Sequence, residues 1–519
     1  MTQVRLVDVD GVRTVLAQGP GPARGGVVVR AGTADESQLE AGTAHLVEHL
    51  ALAGLAGAVR TPCGTGHTLT RYRFAGPPEV VRAGVAAVCA RFADLPTRGL
   101  DEERAVLAAE RGARGVRGEE HLLVARYGLA GYGSRAAVSE YGLGRLGPDE
   151  VSLAAHAAGT TGRCVVWLAG GAAPDRPDDV PAVRLRPGRP LPAPDPWPGY
   201  GGDRRTAPGW VRTPIGTGGV LGVVGRGPAA DAFVDVLRAR LGPAAASLAF
   251  DGSRPVPAVR VVLDPVAADA ALLGLGLMDE AAWAGWTPRF TDVLERLAEG
   301  VREEDLTARV PSSTDGPDPE AVAADLVLGV PPSTPAVPPV SPVTPVTADD
   351  VTAVARRFLA GAVAAFDRVA EGSRVWVPEP QGRHAPVDGR AFISRDAPTD
   401  RRRMLVSAAG ITLERPEQQP VTVRVTSTTV VLRWPDGRRQ LVSDDGSVVV
   451  VEPTLWVDGA GLVARVDATW PAELVVDRPA RAPEQVPQPE YGTDGYDEAR
   501  GATSRLAVAV SRAAARWRP

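Results

Sequence analysis

The chain has 519 residues, of which 44% are hydrophobic and 23% charged, with a net charge of −5. That length exceeds one ordinary core and predicts about two to four domains. The acidic balance removes any electrostatic case for nucleic acid or an anionic membrane as main partner. Every one of the 57 basic residues is arginine, which together with the abundance of Ala, Gly and Pro points to a GC-rich, bacterial coding bias rather than to phosphate chemistry.

The start, Met1 to Asp8, has no apolar signal-peptide core. No run reaches the roughly 18 apolar residues needed to span a bilayer. Cys63, Cys89 and Cys164 are odd in number, widely spaced and in no metal-ligand pattern, so they make no disulfide framework. Together these features predict a cytoplasmic location.

Val4 to Val15 alternates around Val9-Asp10-Gly11 and predicts two strands joined by a tight turn; Gly26 to Arg30 predicts a third. From about Ala41 to Gly54 comes a helix carrying His45-Leu46-Val47-Glu48-His49. Positions i and i+4 of a helix lie on one face, so both imidazoles can reach one metal ion, with Glu48 one step round. Zinc takes imidazole nitrogen at about 2.0–2.1 Å and is usually four-coordinate. A hydrolytic site therefore needs a third protein ligand and leaves the fourth position to water. Thr65 to Phe74 predicts a strand, and Pro78 to Phe92 a helix with Val81, Val85 and Val88 on its apolar stripe. Leu100 to Glu110 reads as another helix. Glu103 and Glu110 are about two turns apart on it, so both carboxylates share a face and either could complete the site.

His-x-x-Glu-His is the inverted zincin signature. With Gly32 to Glu36 and Ala41 to Ala44 before it and Leu50 to Gly54 after it, the stretch resembles the insulinase, pitrilysin and mitochondrial processing peptidase family. The resemblance covers roughly residues 1–380. It implies His45, His49 and Glu110 as ligands of one zinc ion per chain, Glu48 as the base, and Glu103 as a carboxylate behind the ligands. It also implies clam-like chambers built from four sheet-and-helix units, so a two-unit chain needs a second copy or a related subunit. Two departures stand out. The interval from His49 to Glu110 is shorter than is usual in the family. No tyrosine occurs between Tyr200 and Tyr491, although active members use a C-terminal-half arginine and tyrosine to steady the substrate carbonyl.

Residues from His121 to His156 read as mostly helical, broken at Gly131-Tyr132-Gly133 and at Gly144 to Pro148. Arg163 to Gly171 reads as a buried strand, and Pro174 to Pro214 as a Pro-rich linker. A second copy of the unit then follows. Glu299 to Leu306 echoes Arg98 to Arg104, Thr347 to Val351 is a capping box, and Val375-Trp376-Val377 reads as the closing strand. No histidine lies between His156 and His384, so this copy carries no histidine site. The glycines from Gly222 to Gly227 lack the Lys-Ser/Thr of a phosphate loop and read as a turn. After Gly382, short β-type runs with hairpin signals at Pro435-Asp436-Gly437 and Asp444-Asp445-Gly446 predict a small all-β domain. Among these runs are Met404 to Leu413, Leu462 to Val466 and Glu473 to Val476. Ala502 to Trp517 reads as a C-terminal helix.

The expected fold class is α+β. The expected domains are a zinc-bearing unit at 1–180, a linker at 181–214, a second unit without zinc ligands at 215–380, an all-β domain at 385–480, and a tether with helix at 481–519. The expected function is a zinc metalloendopeptidase cutting extended peptides. A scaffold or peptide-binding subunit that keeps the fold with little hydrolysis is the competing expectation.

Overall fold

The computed structural model describes residues 3–55, 59–60, 63–114, 124, 127–129, 131–133, 141–174, 180, 183–191, 209–212, 219–222, 228–246, 259–263, 271–275, 291–307, 318–329, 345–366, 377–378, 384–396, 399–416 and 418–489. The chain divides into two units, Met1–Glu379 and Pro380–Pro519. Both sheets and helices are present, so the fold is mixed α+β.

In the first unit, β1 (Gln3–Val9) and β2 (Val12–Gln18) form a hairpin. Its turn places Asp10 and Gly11 at φ 52° and 81°; a two-residue hairpin turn with both φ values positive is the one that Asp-Gly favours. β3 (Arg24–Val29), β4 (Val59–Arg60), β5 (Gly64–Thr65), β6 (Thr70–Ala75) and β7 (Cys164–Ala169) complete the first sheet. The order is β1-β2-β7-β3-β6-β4, with β5 also paired to β6. β7 lies parallel to β2 and antiparallel to β3. All its residues are buried, which is why its sequence is an unbroken apolar run.

One face of this sheet carries α1 (Thr43–Leu52), α2 (Pro78–Arg91), α3 (Leu100–Arg114) and α4 (Pro148–Ala158). Leu46 and Leu50 of α1, Val81 and Val85 of α2, Leu107 of α3 and Val151 of α4 are fully buried in one core with Val27, Val29 and Leu168 of the sheet. α1 is thus anchored by its apolar stripe, leaving its opposite stripe for polar groups.

The second sheet of the first unit has β8 (Gly209–Arg212), β9 (Gly219–Gly222), β10 (Val259–Leu263), β11 (Ala271–Leu275), β12 (Val363–Phe366) and β13 (Val377–Pro378), in the order β10-β11-β9-β12-β8-β13. At its centre β12 lies parallel to β8 and antiparallel to β9, the pairing that β7 makes with β2 and β3. Helices α5 (Pro228–Ala246) and α7 (Ala348–Ala360) accompany it, and α6 (Pro319–Leu328) lies between them in the chain. α5 packs on α7, with Phe233 and Phe358 rings 5.3 Å apart. Thr347 and Asp350 form the capping box at the start of α7.

α6 lies against the other face of the first sheet, where Val322 and Val327 join Val15, Val28 and Trp167. A bidentate ion pair from Arg73 of β6 to Glu320 fixes it, with both contacts at 2.6 Å.

Two sequence expectations are corrected here. The closing position belongs to Val363–Phe366, while Val377 belongs to a two-residue strand at the sheet edge; Val375 and Trp376 lie outside the described residues. Both segments are apolar, and only pairing distinguishes them. The span read as linker is also not free chain. Val180 and Val183 are buried in the first core, Thr161 N donates to Arg186 O, and Gly209–Arg212 is already a strand.

The second unit has two four-stranded sheets. The first runs β14 (Arg390–Ile393), β15 (Arg403–Ser407), β16 (Gly410–Glu414) and β17 (Val421–Arg424) in sequence order. The second contains β18 (Thr428–Arg433), β19 (Arg439–Ser443), β20 (Val448–Val451) and β21 (Val475–Asp477), in the order β20-β19-β18-β21. It is not all-β: Gly459–Thr469 is a helix, α8, where Leu462 to Val466 reads as a strand. Asp458 caps it by accepting from Gly461 N at 3.1 Å. Leu462 and Val466, four apart, are fully buried on one face, a spacing that five residues of sequence cannot separate from a strand. Met404 to Leu413 is a hairpin rather than one run. The segment 502–517, expected to be helical, lies outside the described residues, as do 223–227 of the glycine cluster.

Candidate active site

α1 presents His45 and His49 on one face, their rings 4.9 Å apart and nearly perpendicular at 87°. α3 runs beside α1 and brings Glu110 to both: His45 Nε2 is 3.9 Å from Glu110 Oε2, and His49 Nε2 is 3.8 Å from Glu110 Oε1. One ligand atom from each residue lies within 4.8 Å of the others. Tetrahedral ligands at about 2.0–2.1 Å from zinc are about 3.3–3.4 Å from one another. The observed separations are too long for hydrogen bonds and close to that edge length. The donor set and its spacing therefore fit a zinc ion.

Glu103, two turns before Glu110, accepts from His49 Nδ1 at 2.9 Å. A carboxylate can only accept, so this contact puts the proton on Nδ1 and turns the lone pair of Nε2 toward Glu110. Glu48 is buried, its side chain meeting Thr65 Oγ1 at 2.7 Å. Burial pushes the Glu48 carboxyl above its ordinary range; the Thr65 hydrogen bond and the two histidines act against that, and Glu110 adds to it. Thr65 lies on β5 at the sheet edge, so Glu48 sits beside that edge.

The amino end of α1 is held by Glu36. Its carboxylate accepts from Gly42 N at 2.9 Å and from Ala44 N at 2.6 Å, satisfying helix donors that Gly42, with φ 103°, cannot cap itself. A carboxylate there also opposes the positive end of the helix dipole. Thr65 and Glu36 were not singled out by their chemistry in the sequence. Glu36 falls in the stretch leading into the motif, whereas nothing local to Thr65 marks it. His67 contacts Thr33 Oγ1 at 3.4 Å and is not among the clustered ligands.

A cavity of about 310 Å³ lies on the other side of α1, against Ala44, Val47, Tyr72, Phe92 and Arg163. It contains none of His45, His49 or Glu110, whose side chains are 13%, 17% and 35% exposed. Among the described residues no helix is long and apolar enough to cross a membrane, and none of the three cysteines is in a disulfide.

No protein-family model and no curated protein matches the sequence. Solved structures do match the fold. The chain is similar to a protease from Helicobacter pylori at 14% identity and a TM-score of 0.52, covering 70% of this chain and 99% of that one. It is similar to a peptidase M16 inactive domain from Pseudomonas fluorescens at 15% identity and a TM-score of 0.51, covering 73% and 100%. The fold is that of the M16-like peptidase structures.

Proposed function

We propose that this chain is a zinc-dependent metalloendopeptidase that hydrolyses extended peptides. The observation that carries the reading is the convergence of His45, His49 and Glu110 beside the buried Glu48. His45, His49 and Glu110 would hold the ion. Zinc, when bound, lowers the pKa of water from about 15.7 toward about 7 and polarises a carbonyl. Glu48 takes the proton of the attacking water and later delivers it to the leaving amine. Thr65 holds that carboxylate in place at 2.7 Å, and Glu103 orients His49. A peptide strand added at the β5 edge would run past Glu48, pairing by main-chain hydrogen bonds.

A second copy or a related subunit would supply two more sheets to close a chamber, and three cysteines outside any disulfide accord with a reducing cytoplasm. A scaffold reading is favoured by the absence of tyrosine between Tyr200 and Tyr491, and by similarity to the structure of an inactive peptidase domain. We favour the enzyme reading because His45, His49 and Glu110 converge beside Glu48 while Glu103 meets His49. The test is hydrolysis of unstructured peptides before and after chelation. Activity lost with zinc and restored by its return supports the enzyme. Hydrolysis by wild type that persists unchanged in His45→Ala would contradict it, and absence of hydrolysis in the zinc-loaded protein would favour the scaffold.

A further inference from the structure

We propose that the second unit holds its own divalent metal ion, of the zinc type, through His384, Asp444 and Asp445. One ligand atom from each of the three lies within 4.8 Å of the others, the same compactness that His45, His49 and Glu110 show. His384 Nε2 is 3.4 Å from Asp444 Oδ1 and 3.8 Å from Asp445 Oδ2. Charge-assisted hydrogen bonds between nitrogen and a carboxylate close to about 2.7–2.9 Å. These contacts stand off instead, near the edge of about 3.3–3.4 Å expected between ligands of one tetrahedral zinc ion.

The carboxylates are held in place before any ion arrives. Asp444 and Asp445 occupy the turn between β19 and β20, where Gly446 takes φ 84° and its N–H donates to Ser443 O at 3.0 Å. Asp445 Oδ1 accepts from Ser447 N at 2.8 Å, and Oδ2 faces His384 at 3.8 Å. Asp444 Oδ1 is met by Ser443 Oγ at 3.2 Å, and Ser443 Oγ in turn meets Ser427 Oγ at 2.9 Å. The Asp445 side chain is only 2% exposed. A divalent ion is the cation that two carboxylate oxygens and an imidazole nitrogen can share. One imidazole nitrogen with two carboxylate oxygens suits zinc better than the all-oxygen preference of magnesium or calcium.

His384 and Asp444 are 24% and 46% exposed, so the ion can enter from solvent. The cluster joins residue 384, before the first strand of this unit, to a turn 60 residues later. Its role is a staple that holds the start of the unit on the β19–β20 turn, and zinc binding stabilises that arrangement by mass action.

The experiment uses the full chain. In the variant His45→Ala/His49→Ala, elemental analysis after zinc loading and dialysis should still find about one zinc per chain, against about two in wild type. Zinc should raise the thermal midpoint of that variant by several degrees. Adding Asp445→Asn should remove both the remaining zinc and the zinc-dependent shift. The amide oxygen can still accept from Ser447 N, and the metal-free midpoint, measured beside the zinc-loaded one, separates loss of the ion from loss of the fold. His384→Ala should do the same to the metal, and Asp445→Asn decides if that variant fails to fold. A His45→Ala/His49→Ala protein that holds no zinc, or whose zinc survives both Asp445→Asn and His384→Ala, overturns the proposal. Wild type with one zinc that His45→Ala/His49→Ala leaves in place and Asp445→Asn removes would support this site while refuting the one on α1.

Discussion

In the first sheet, α1 follows β3, packs on α4 and carries His45, Glu48 and His49; in the second, α5 follows β9, packs on α7 and carries Phe233, Val236 and Leu237. Both helices bury an apolar stripe against their sheet. On α5 the stripe centres on Phe233, fully buried against Phe358. α1 buries Leu46 and Leu50 in the same manner and leaves its histidines on the accessible side. The sheet-and-helix arrangement therefore asks only for the inward stripe. The outward stripe of α1, together with the face of α3 that bears Glu103 and Glu110, can gain or lose chemistry without altering the strand order.

The comparison can be broken most forcefully at Phe233. Phe233→Ala should cost about 3–5 kcal/mol of stability in denaturant unfolding, yet leave zinc at His45, His49 and Glu110 under native conditions. Zinc lost from that folded variant would mean that the two sheets do not separate packing from chemistry. A smaller effect is expected from Glu103→Gln. The amide loses the charge that orients His49, so zinc affinity at the α1 cluster should fall about 10–100-fold in a chelator competition. An unchanged affinity would make Glu103 a bystander. Smaller still is Thr65→Val, which removes the hydroxyl from Glu48. Stability should fall by about 0.5–1.5 kcal/mol with zinc content unchanged, and a neutral result would show that Glu48 does not depend on β5.

The α1–α3 site was legible because its elements are short-range patterns. His45 and His49 are one helical turn apart, Glu103 and Glu110 two turns, and the structure brings these two faces together. Thr65 was not legible, since its meeting with Glu48 depends on the strand pairing Thr65 with Thr70, a tertiary event. Val363–Phe366 and Val375 to Val377 have similar apolar character, and only pairing with Gly209–Arg212 and Gly219–Gly222 puts the former at the centre. Leu462 to Val466 reads as strand, and Gly459 and Gly461 just before it weaken the helical propensity of the segment; the Asp458 cap and burial of Leu462 and Val466 override that. The His384 cluster was divided in the sequence between an isolated histidine and a hairpin signal, and only the fold brings them within reach.

Glu48 gives the most direct test of the central claim, because it separates the base from the ligands. Glu48→Gln keeps nearly the same shape and can still accept from Thr65 Oγ1, but the amide cannot take a proton from water at neutral pH. General-base catalysis is typically worth about 10²–10⁴-fold. Peptide hydrolysis by the variant, measured against wild type at matched zinc content, is predicted to fall by at least about 100-fold with an unchanged unfolding midpoint. A variant that retains its zinc and its full zinc-dependent hydrolysis would contradict the account.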